Sequence, residues 1–433
     1  MNACPRVYPP IHNVNLGERC VSMAQIHIGH VSSGNVANSG NFVLSNQSDP
    51  FGPLTFRADG TFQVSIFEDL HFGENAWDQW GPQQDINSVI VINEILDKES
   101  PGLVVLNGDL ITGENGFLEN STVYVDEIVA PLVSRNLTWA STYGNHDYDF
   151  NISGSAILER ERLWSNSRTS PMVSGSNAGV SNYYLPVYDY GCVDETTCTP
   201  QLILWFFDSR GGFLYQQKDA EGNRVGQPDW VDTSVVEWFS QASSSLTERY
   251  NKVIPSLGFV HIPTFASYAL QEAGIDPNRQ PGINDDLPLA PQAQGWCSNG
   301  TNDGSCTYGG QDIELMQAIS HTDGLIAVFS GHDHGDTWCY KWDTALPGLD
   351  VTPDNNVTLC FGQHTGYGGY GTWIRGSRQV EVSKRGLAKF EADTWIRLES
   401  GATVGRVSLN STYGQDLYPK TNDTMTNCPT CEY

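Results

Sequence analysis

Short apolar runs alternate with amphipathic stretches from Leu54 onward, and this alternation predicts an α/β core. The apolar runs, rich in Val, Ile, Leu and Phe, have the length of buried strands. The predicted strands cover 61–67, 103–106, 138–142, 201–207, 257–261 and 325–330. Helices are predicted at 83–98, 123–135, 231–249 and 311–320, the first with apolar positions at Ile86, Val89, Ile90 and Ile95.

The remaining chain divides into termini, insertions and a second set of strands. Residues 1–50 are rich in Asn, Ser, Gly and Pro and predict an N-terminal extension, and residues 413–433 predict a C-terminal tail. A single domain is expected over 51–412, with loop insertions at about 151–200 and 266–308. Alternating residues predict antiparallel strands at 379–382, 389–390, 395–398 and 404–409.

Composition and charge narrow the class of protein. The 433 residues are 39% hydrophobic and carry a formal net charge of −27. This composition is typical of a folded globular chain, and no apolar run reaches the roughly 18 residues of a membrane span. The negative field disfavours a nucleic-acid polymer as partner and favours a small phosphorylated substrate or an acidic medium.

The cysteines and glycosylation sequons predict a secreted glycoprotein. The ten cysteines lie in close pairs, which suggests neighbour pairing as disulfides, although the terminal CxxC also has the spacing of a redox or metal site. The pairs are 4/20, 192/198, 297/306, 339/360 and 428/431. N-x-S/T triplets that could carry N-linked glycans begin at 46, 120, 136, 151, 299, 356, 410 and 422. The N-terminus lacks a signal peptide's apolar core, and we expect a mature chain from which the signal is absent.

Polar clusters follow five of the predicted strands, at the place where α/β folds build their sites. Each cluster alone could be a helix cap or a structural histidine, but together they supply the oxygen and nitrogen donors of a two-metal centre. Asp69, His71 and His334 could hold one ion, with Asn145, His261 and His332 on the other and Asp109 bridging both.

The same blocks resemble the calcineurin-like metallophosphoesterases, whose ordered pattern is D-x-H, G-D, G-N-H-D/E, a later His and G-H-x-H. This chain has Asp69-Leu-His71, Gly108-Asp109, Gly144-Asn-His-Asp147, His261 and Gly331-His-Asp-His334 in that order. The resemblance covers roughly 54–410. It implies a four-layer sandwich of two mixed β-sheets flanked by helices, and it supports the ligand sets just assigned.

The family also implies a reaction, the hydrolysis of phosphate esters by a hydroxide that bridges two divalent ions, Zn, Mn, Fe or Mg. We expect His146 to stabilise or protonate the leaving oxygen, with Asp147 orienting it. Asn145 and His146 are then expected to contact substrate, and His364 to reach it from a Gly-rich loop.

Further residues resemble the branch related to purple acid phosphatases but lacking their tyrosine. These are the runs 104–115, 261–263 and 363–371. In purple enzymes a Tyr three residues after the bridging Asp ligates ferric iron, and this chain has Thr112 there, so no purple chromophore is expected. Gln363 stands where the resemblance suggests Arg, which weakens the expectation of a phosphate contact from that loop.

Several functions remain open at this point. A phosphomonoesterase is favoured over a phosphodiesterase that acts on nucleotide or phospholipid-headgroup diesters. A non-catalytic metal- or phosphate-binding protein is the alternative of another class. Residues 366–371 also satisfy GxGxxG, but they precede a strand pattern instead of a long helix, which argues against a dinucleotide site.

Overall fold

The computed structural model describes residues 51–426, which contain fifteen strands and seven α-helices. The strands are β1 (Leu54–Thr55), β2 (Thr61–Phe67), β3 (Leu103–Asn107), β4 (Trp139–Thr142), β5 (Tyr183–Tyr188), β6 (Pro200–Phe207), β7 (Phe213–Lys218), β8 (Arg224–Gly226), β9 (Ser256–Val260), β10 (Leu325–Ser330), β11 (Cys339–Lys341), β12 (Thr358–Phe361), β13 (Gly376–Ser383), β14 (Ala392–Leu398) and β15 (Thr403–Leu409). The helices are α1 (Trp80–Leu96), α2 (Tyr124–Ser134), α3 (Gly154–Glu161), α4 (Thr233–Tyr250), α5 (Phe265–Ala273), α6 (Ile313–His321) and α7 (Lys384–Leu387).

Two mixed sheets organise these elements. The seven-stranded sheet has the order β1-β5-β6-β9-β10-β12-β11, and the six-stranded sheet has the order β15-β14-β13-β2-β3-β4. Strands β2, β3 and β4 run parallel in one sheet, as do β6, β9, β10 and β12 in the other. Parallel strands end at the same edge, so each sheet presents a row of carboxyl-terminal loops.

The sheets pack face to face, and helices cover both outer faces. Alternate residues of β6 show the arrangement, because Leu202, Leu204 and Phe206 enter the core between the sheets while Ile203 and Trp205 face helices α4, α5 and α6. Helices α1, α2 and α3 cover the outer face of the six-stranded sheet in the same way. This layering confirms the predicted four-layer sandwich.

The pattern of apolar residues was misleading in two places. Ile86 and Ile90 are about half exposed, and helix α1 instead buries Val91, Ile92 and Ile95. The strand predicted at 389–390 is wrong, because the turn that follows helix α7 occupies this stretch and Phe390 has a left-handed φ of 58°.

The stretches interpreted as insertions contain regular structure. Strand β5, within 151–200, pairs with β1 and β6 in the seven-stranded sheet, and all but the first residue of helix α5 lies within 266–308. Pro186 lies inside β5. A proline argues against a central strand, so the sequence pattern did not predict this one.

Three of the predicted disulfides are present and link Cys192 to Cys198, Cys297 to Cys306 and Cys339 to Cys360. The pairs 4/20 and 428/431 lie outside the described residues, as does the extension predicted at 1–50. None of the helices within 51–426 is both long and apolar enough to cross a membrane.

Candidate metal centre

The predicted ligands meet where the two sheets adjoin. Asp69 and His71 follow β2, Asp109 follows β3 and Asn145 follows β4, all in the six-stranded sheet. The remaining ligands come from the seven-stranded sheet, where His261 follows β9, and His332 and His334 follow β10.

Six of the predicted ligands form two groups of three buried or half-buried side chains, called triads below. Asp69, His71 and His334 each offer a ligand atom, and these atoms lie within 4.8 Å of one another. Asp109, His261 and His332 form the second triad by the same measure. Each triad combines residues from both sheets, so the site exists only when the sheets are packed together.

Asp109 belongs to the second triad and also lies near the first. Its Oδ2 atom is 2.9 Å from Nε2 of His261 in one triad and 3.8 Å from Nε2 of His71 in the other. One carboxylate that reaches donors of both triads is what a pair of divalent ions requires as a shared ligand.

Backbone and hydroxyl groups orient three of the imidazoles. Nδ1 of His261 lies 2.9 Å from the carbonyl oxygen of Asn107, and Nδ1 of His334 lies 2.8 Å from the carbonyl oxygen of Tyr370. A carbonyl can only accept, so Nδ1 of each ring carries a proton and Nε2 is the nitrogen that faces the site, where it can bind a metal ion once it carries no proton of its own. Nδ1 of His71 lies 3.0 Å from Oγ1 of Thr112, the residue at the position of the missing tyrosine.

The facing nitrogens fit a cation. Nε2 of His71 and Nε2 of His334 are only 3.2 Å apart, close enough for both to bind one ion. Oδ1 of Asn145 is buried and has no hydrogen-bond partner among the described residues. Divalent metal ions satisfy both arrangements, because nitrogen and oxygen lone pairs converge on them.

The protonation states largely match those of metal ligands. Burial and the neighbouring His146 hold the pKa of His71 well below its usual range, and burial and His261 lower the pKa of His332 to about 3. Burial alone would raise the pKa of Asp109, but His261 and His146 hold it well below the usual range. These two imidazoles are therefore neutral and the carboxyl is ionised, as ligation requires.

His261 is the exception. Burial lowers its pKa, but the carboxylates of Asp109 and Asp69 raise it to about 10. Metal binding at this triad therefore has to displace a proton, which makes loading weaker at low pH.

Four ligands have backbone conformations that side chains rarely adopt. Asp69, His71, Asp109 and His332 have φ values of 52°, 49°, 48° and 77°. Such left-handed residues cost roughly 1–3 kcal/mol each and persist where surrounding structure imposes them. Here the sharp turns after β2, β3 and β10 direct the side chains back into one centre.

Gly144 permits the turn after β4 to come close to Asp109 and His261. A Cβ atom at this position would lie 2.3 Å from Oδ1 of Asp109 and 2.4 Å from Cδ2 of His261. The glycine of the GNHD block therefore provides the space in which two ligands sit.

His146 lies beside the triads with its own carboxylate partner. Its Nδ1 is 2.7 Å from Oε1 of Glu114, and its backbone N–H donates to Oδ1 of Asp109 at 2.8 Å. Burial lowers the pKa of His146, but Asp109 and Glu114 raise it to about 10. About a third of its side chain is exposed, so the ring reaches the opening of the site.

The carboxylate that contacts the ring of His146 is Glu114 and not Asp147. Asp147 accepts from the backbone amides of Leu110, Ile111 and Gly144 at 2.9–3.2 Å, and so it fastens the turn after β4 to the turn after β3. Sequence reasoning missed Glu114, because an acid five residues after a bridging aspartate carries no motif of its own.

His364 and Gln363 lie behind the ligands. His364 is 1% exposed, its ring lies 3.8 Å from that of His334, and its Nε2 contacts the carbonyl oxygen of Gly368 at 3.1 Å. Gln363 is also buried and donates to the carbonyl oxygen of Ile374. The ring of His364 therefore packs against His334, and its expected contact with substrate stays a prediction.

The Gly-rich stretch 366–371 closes over one triad. A Cβ atom at Gly369, whose φ is 75°, would lie 2.5 Å from Cε1 of His334, and the ring of Tyr370 stacks on His334 at 4.0 Å. No helix follows this stretch, since β13 begins at Gly376. The glycines thus serve close packing against the histidines.

Comparisons with known proteins identify the family of this chain. The sequence profile described as calcineurin-like phosphoesterase matches residues 69–336. Probable inactive purple acid phosphatase 28 from Arabidopsis thaliana is 25% identical over 365 residues, which cover 79% of this chain and 79% of that protein. Phosphatase DCR2 from Saccharomyces cerevisiae is 25% identical over 351 residues, which cover 78% of this chain and 54% of that protein. Among solved structures, a dimetal phosphatase from Danio rerio aligns with 81% of this chain and 98% of its own at 12% identity and a TM-score of 0.46.

Proposed function

The chain belongs to the calcineurin-like phosphoesterase family, and we propose that it hydrolyses phosphate monoesters at the centre formed by the two triads. The observation that carries the proposal is the convergence of the triads on Asp109, with donors of both within 4 Å of one carboxylate oxygen. Two divalent ions held there would supply positive charge that activates water and neutralises the phosphate oxygens.

The chain's own residues supply the remaining functions. Asn145 presents a buried amide oxygen that has no hydrogen-bond partner within residues 51–426, while Asp147 holds the turn that carries both Asn145 and His146. His146 is protonated over the neutral range and partly exposed, so it can donate a proton or a hydrogen bond to the oxygen that leaves. Glu114 fixes the orientation of its ring.

The compartment is part of the proposal. Three disulfides within the described residues favour an oxidising environment, since cytosolic thiols are kept reduced. Exposed sequon asparagines offer places for N-linked glycans, namely Asn120, Asn136, Asn299, Asn356 and Asn422. We therefore propose a secreted glycoprotein, and a mass shift on treatment with a glycan-removing amidase tests it.

Activity itself is the decisive measurement, because one of the relatives bears the words "probable inactive" in its name. The purified chain is analysed for metal content and assayed with p-nitrophenyl phosphate and bis(p-nitrophenyl) phosphate, before and after chelation. We expect two ions per chain, chelator-sensitive turnover and faster hydrolysis of the monoester. A faster diester reaction would select the phosphodiesterase alternative, and a metal-loaded chain inactive on both would select the binding-protein alternative.

A matched pair of variants controls for unspecific effects. His332→Ala removes one donor from a triad, whereas His321→Ala changes an exposed histidine at the end of α6. We expect the first variant to lose metal and at least about a hundredfold in activity, and the second to match the wild type.

A further inference from the structure

Two aromatic side chains stand exposed on loops that adjoin the metal centre. Trp77 is 55% exposed and Phe117 is 44% exposed, and their rings contact each other edge to face at 6.1 Å between centroids. Large aromatic groups usually lose this exposure on folding, since burying them stabilises the folded state. A pair that packs together yet remains open to solvent offers an apolar surface to a ligand.

The loops that carry Trp77 and Phe117 both begin near residues of the metal centre. Phe117 comes three residues after Glu114, whose carboxylate contacts His146, so the Cα atoms of Phe117 and Glu114 are at most about 11 Å apart. Trp77 follows His71 by six residues, and the backbone N–H of Ala76 donates to the carbonyl oxygen of Asn115 at 3.4 Å. The two loops therefore run side by side from the ligands to the aromatic pair.

Besides the protonated His146, three carboxylates lie around the same opening. Glu114 contacts His146, Glu74 accepts from the backbone N–H of Gly369, and Asp286 accepts from the hydroxyl of Tyr370, which stacks on His334. Carboxylates at these positions repel further anionic groups on a substrate and do not oppose an uncharged one.

We infer that Trp77 and Phe117 bind the organic part of the substrate, and that this part is aromatic or broadly apolar and carries no second phosphate. The inference rests on the proposed function, since it names the substrate class of the same centre. Contact with the pair places the leaving oxygen on the side of His146, because Phe117 and the partner of His146 share one loop.

The test compares two monoesters that differ in the organic part, 1-naphthyl phosphate and glycerol 2-phosphate. For Trp77→Ala and Phe117→Ala we expect kcat/KM to fall about three- to tenfold with the naphthyl ester, the size of one aromatic contact, through a higher KM. With the glycerol ester the change should stay within about twofold. Tyr190→Ala, which removes a 66% exposed aromatic ring elsewhere, should change neither.

A binding measurement separates this inference from the proposed function. Calorimetry with phenylphosphonate and methylphosphonate on the metal-loaded chain should show tighter binding of the phenyl compound, and Trp77→Ala should abolish that preference. If neither ester is hydrolysed, the proposed function fails while the calorimetry still decides the inference. Equal affinities for the two phosphonates, or equal losses with both esters in variants of native circular dichroism, would overturn it.

Discussion

Oε1 of Glu114 lies 2.7 Å from Nδ1 of His146, while the backbone N–H of His146 donates to Oδ1 of Asp109 at 2.8 Å. The imidazole is thus held at two points, one on the ring and one on the main chain. With Nδ1 bonded to the glutamate, the remaining ring nitrogen is the one available to a ligand. The carboxylate also favours the protonated ring, which is the form that can donate to a leaving group.

Replacement of Glu114 should therefore lower the rate of the reaction and shift its pH dependence. We expect Glu114→Gln to lower kcat about tenfold with little change in KM. Because the glutamate raises the pKa of His146, its loss lowers that pKa, and the alkaline limb of the kcat profile should move to lower pH. Steady-state kinetics between pH 4 and pH 10 measure both effects.

The exposed Glu119 on the same loop serves as the control, since Glu119→Gln changes the same charge without touching the ring of His146. An unchanged pH profile in Glu114→Gln would show that the ion pair has no part in the reaction.

Gly144→Ala should empty the centre without unfolding the protein. The added methyl group would lie 2.3 Å from Oδ1 of Asp109, so the carboxylate of Asp109 or the turn has to move. We expect loss of bound metal and at least about a hundredfold loss of activity, with native far-UV circular dichroism. Gly226→Ala is the matched control, because no atom lies within 4 Å of its added Cβ, and normal metal content in Gly144→Ala would refute this account.

Removal of metal should lower thermal stability. Ligands that bind only the folded chain stabilise it by about 3–4 kcal/mol when present at a hundred to a thousand times their Kd. We expect chelation to lower Tm by several degrees and added Zn or Mn to restore it, as measured by calorimetry. Asp109→Asn should show a lower Tm that responds less to the chelator, and an unchanged Tm after proven removal of metal would contradict the prediction.

The ionisation of Asp229 should make the stability of the fold depend on pH. Burial raises the pKa of this carboxyl from 3.8 to about 7, so the folded state binds its proton more tightly than the unfolded state. The resulting cost to the fold grows as pH rises from about 4 to about 7 and stays constant above that range. The shift of about three pKa units corresponds to about 4 kcal/mol at most, so Asp229→Asn should gain about 1–4 kcal/mol at pH 8, several degrees in Tm, and nothing at pH 4.

Asp350→Asn, at an exposed position, is the control for this change of charge. If the difference in Tm between Asp229→Asn and the wild type is the same at both pH values, the carboxyl does not titrate as described.

The sequence predicts the elements that carry strong local signals. Strands β2, β3, β9 and β10 are short apolar runs that end in polar blocks, so both the strand and its ligand follow from one stretch of chain. The two triads follow as well, because chain order and donor chemistry restrict which residues can share an ion.

Other features depend on packing that no local pattern contains. Helix α1 has apolar residues on more than one face, and the sheet that it covers selects Val91, Ile92 and Ile95 over Ile86 and Ile90. Glu114 acquires its role only when the turns after β3 and β4 meet, since its partner lies 32 positions along the chain at His146. Burial likewise places His364 behind His334, where a motif alone would leave it free to contact substrate.

The position of the centre across two sheets has an evolutionary consequence. Each triad needs residues from both sheets, so any substitution that removes a donor also removes a connection between the halves of the core. Natural selection for a chain that folds and survives proteolysis would preserve these donors even in a lineage that no longer turned over a substrate. The presence of all these donors in one chain is therefore evidence for a stable molecule as much as for a catalyst.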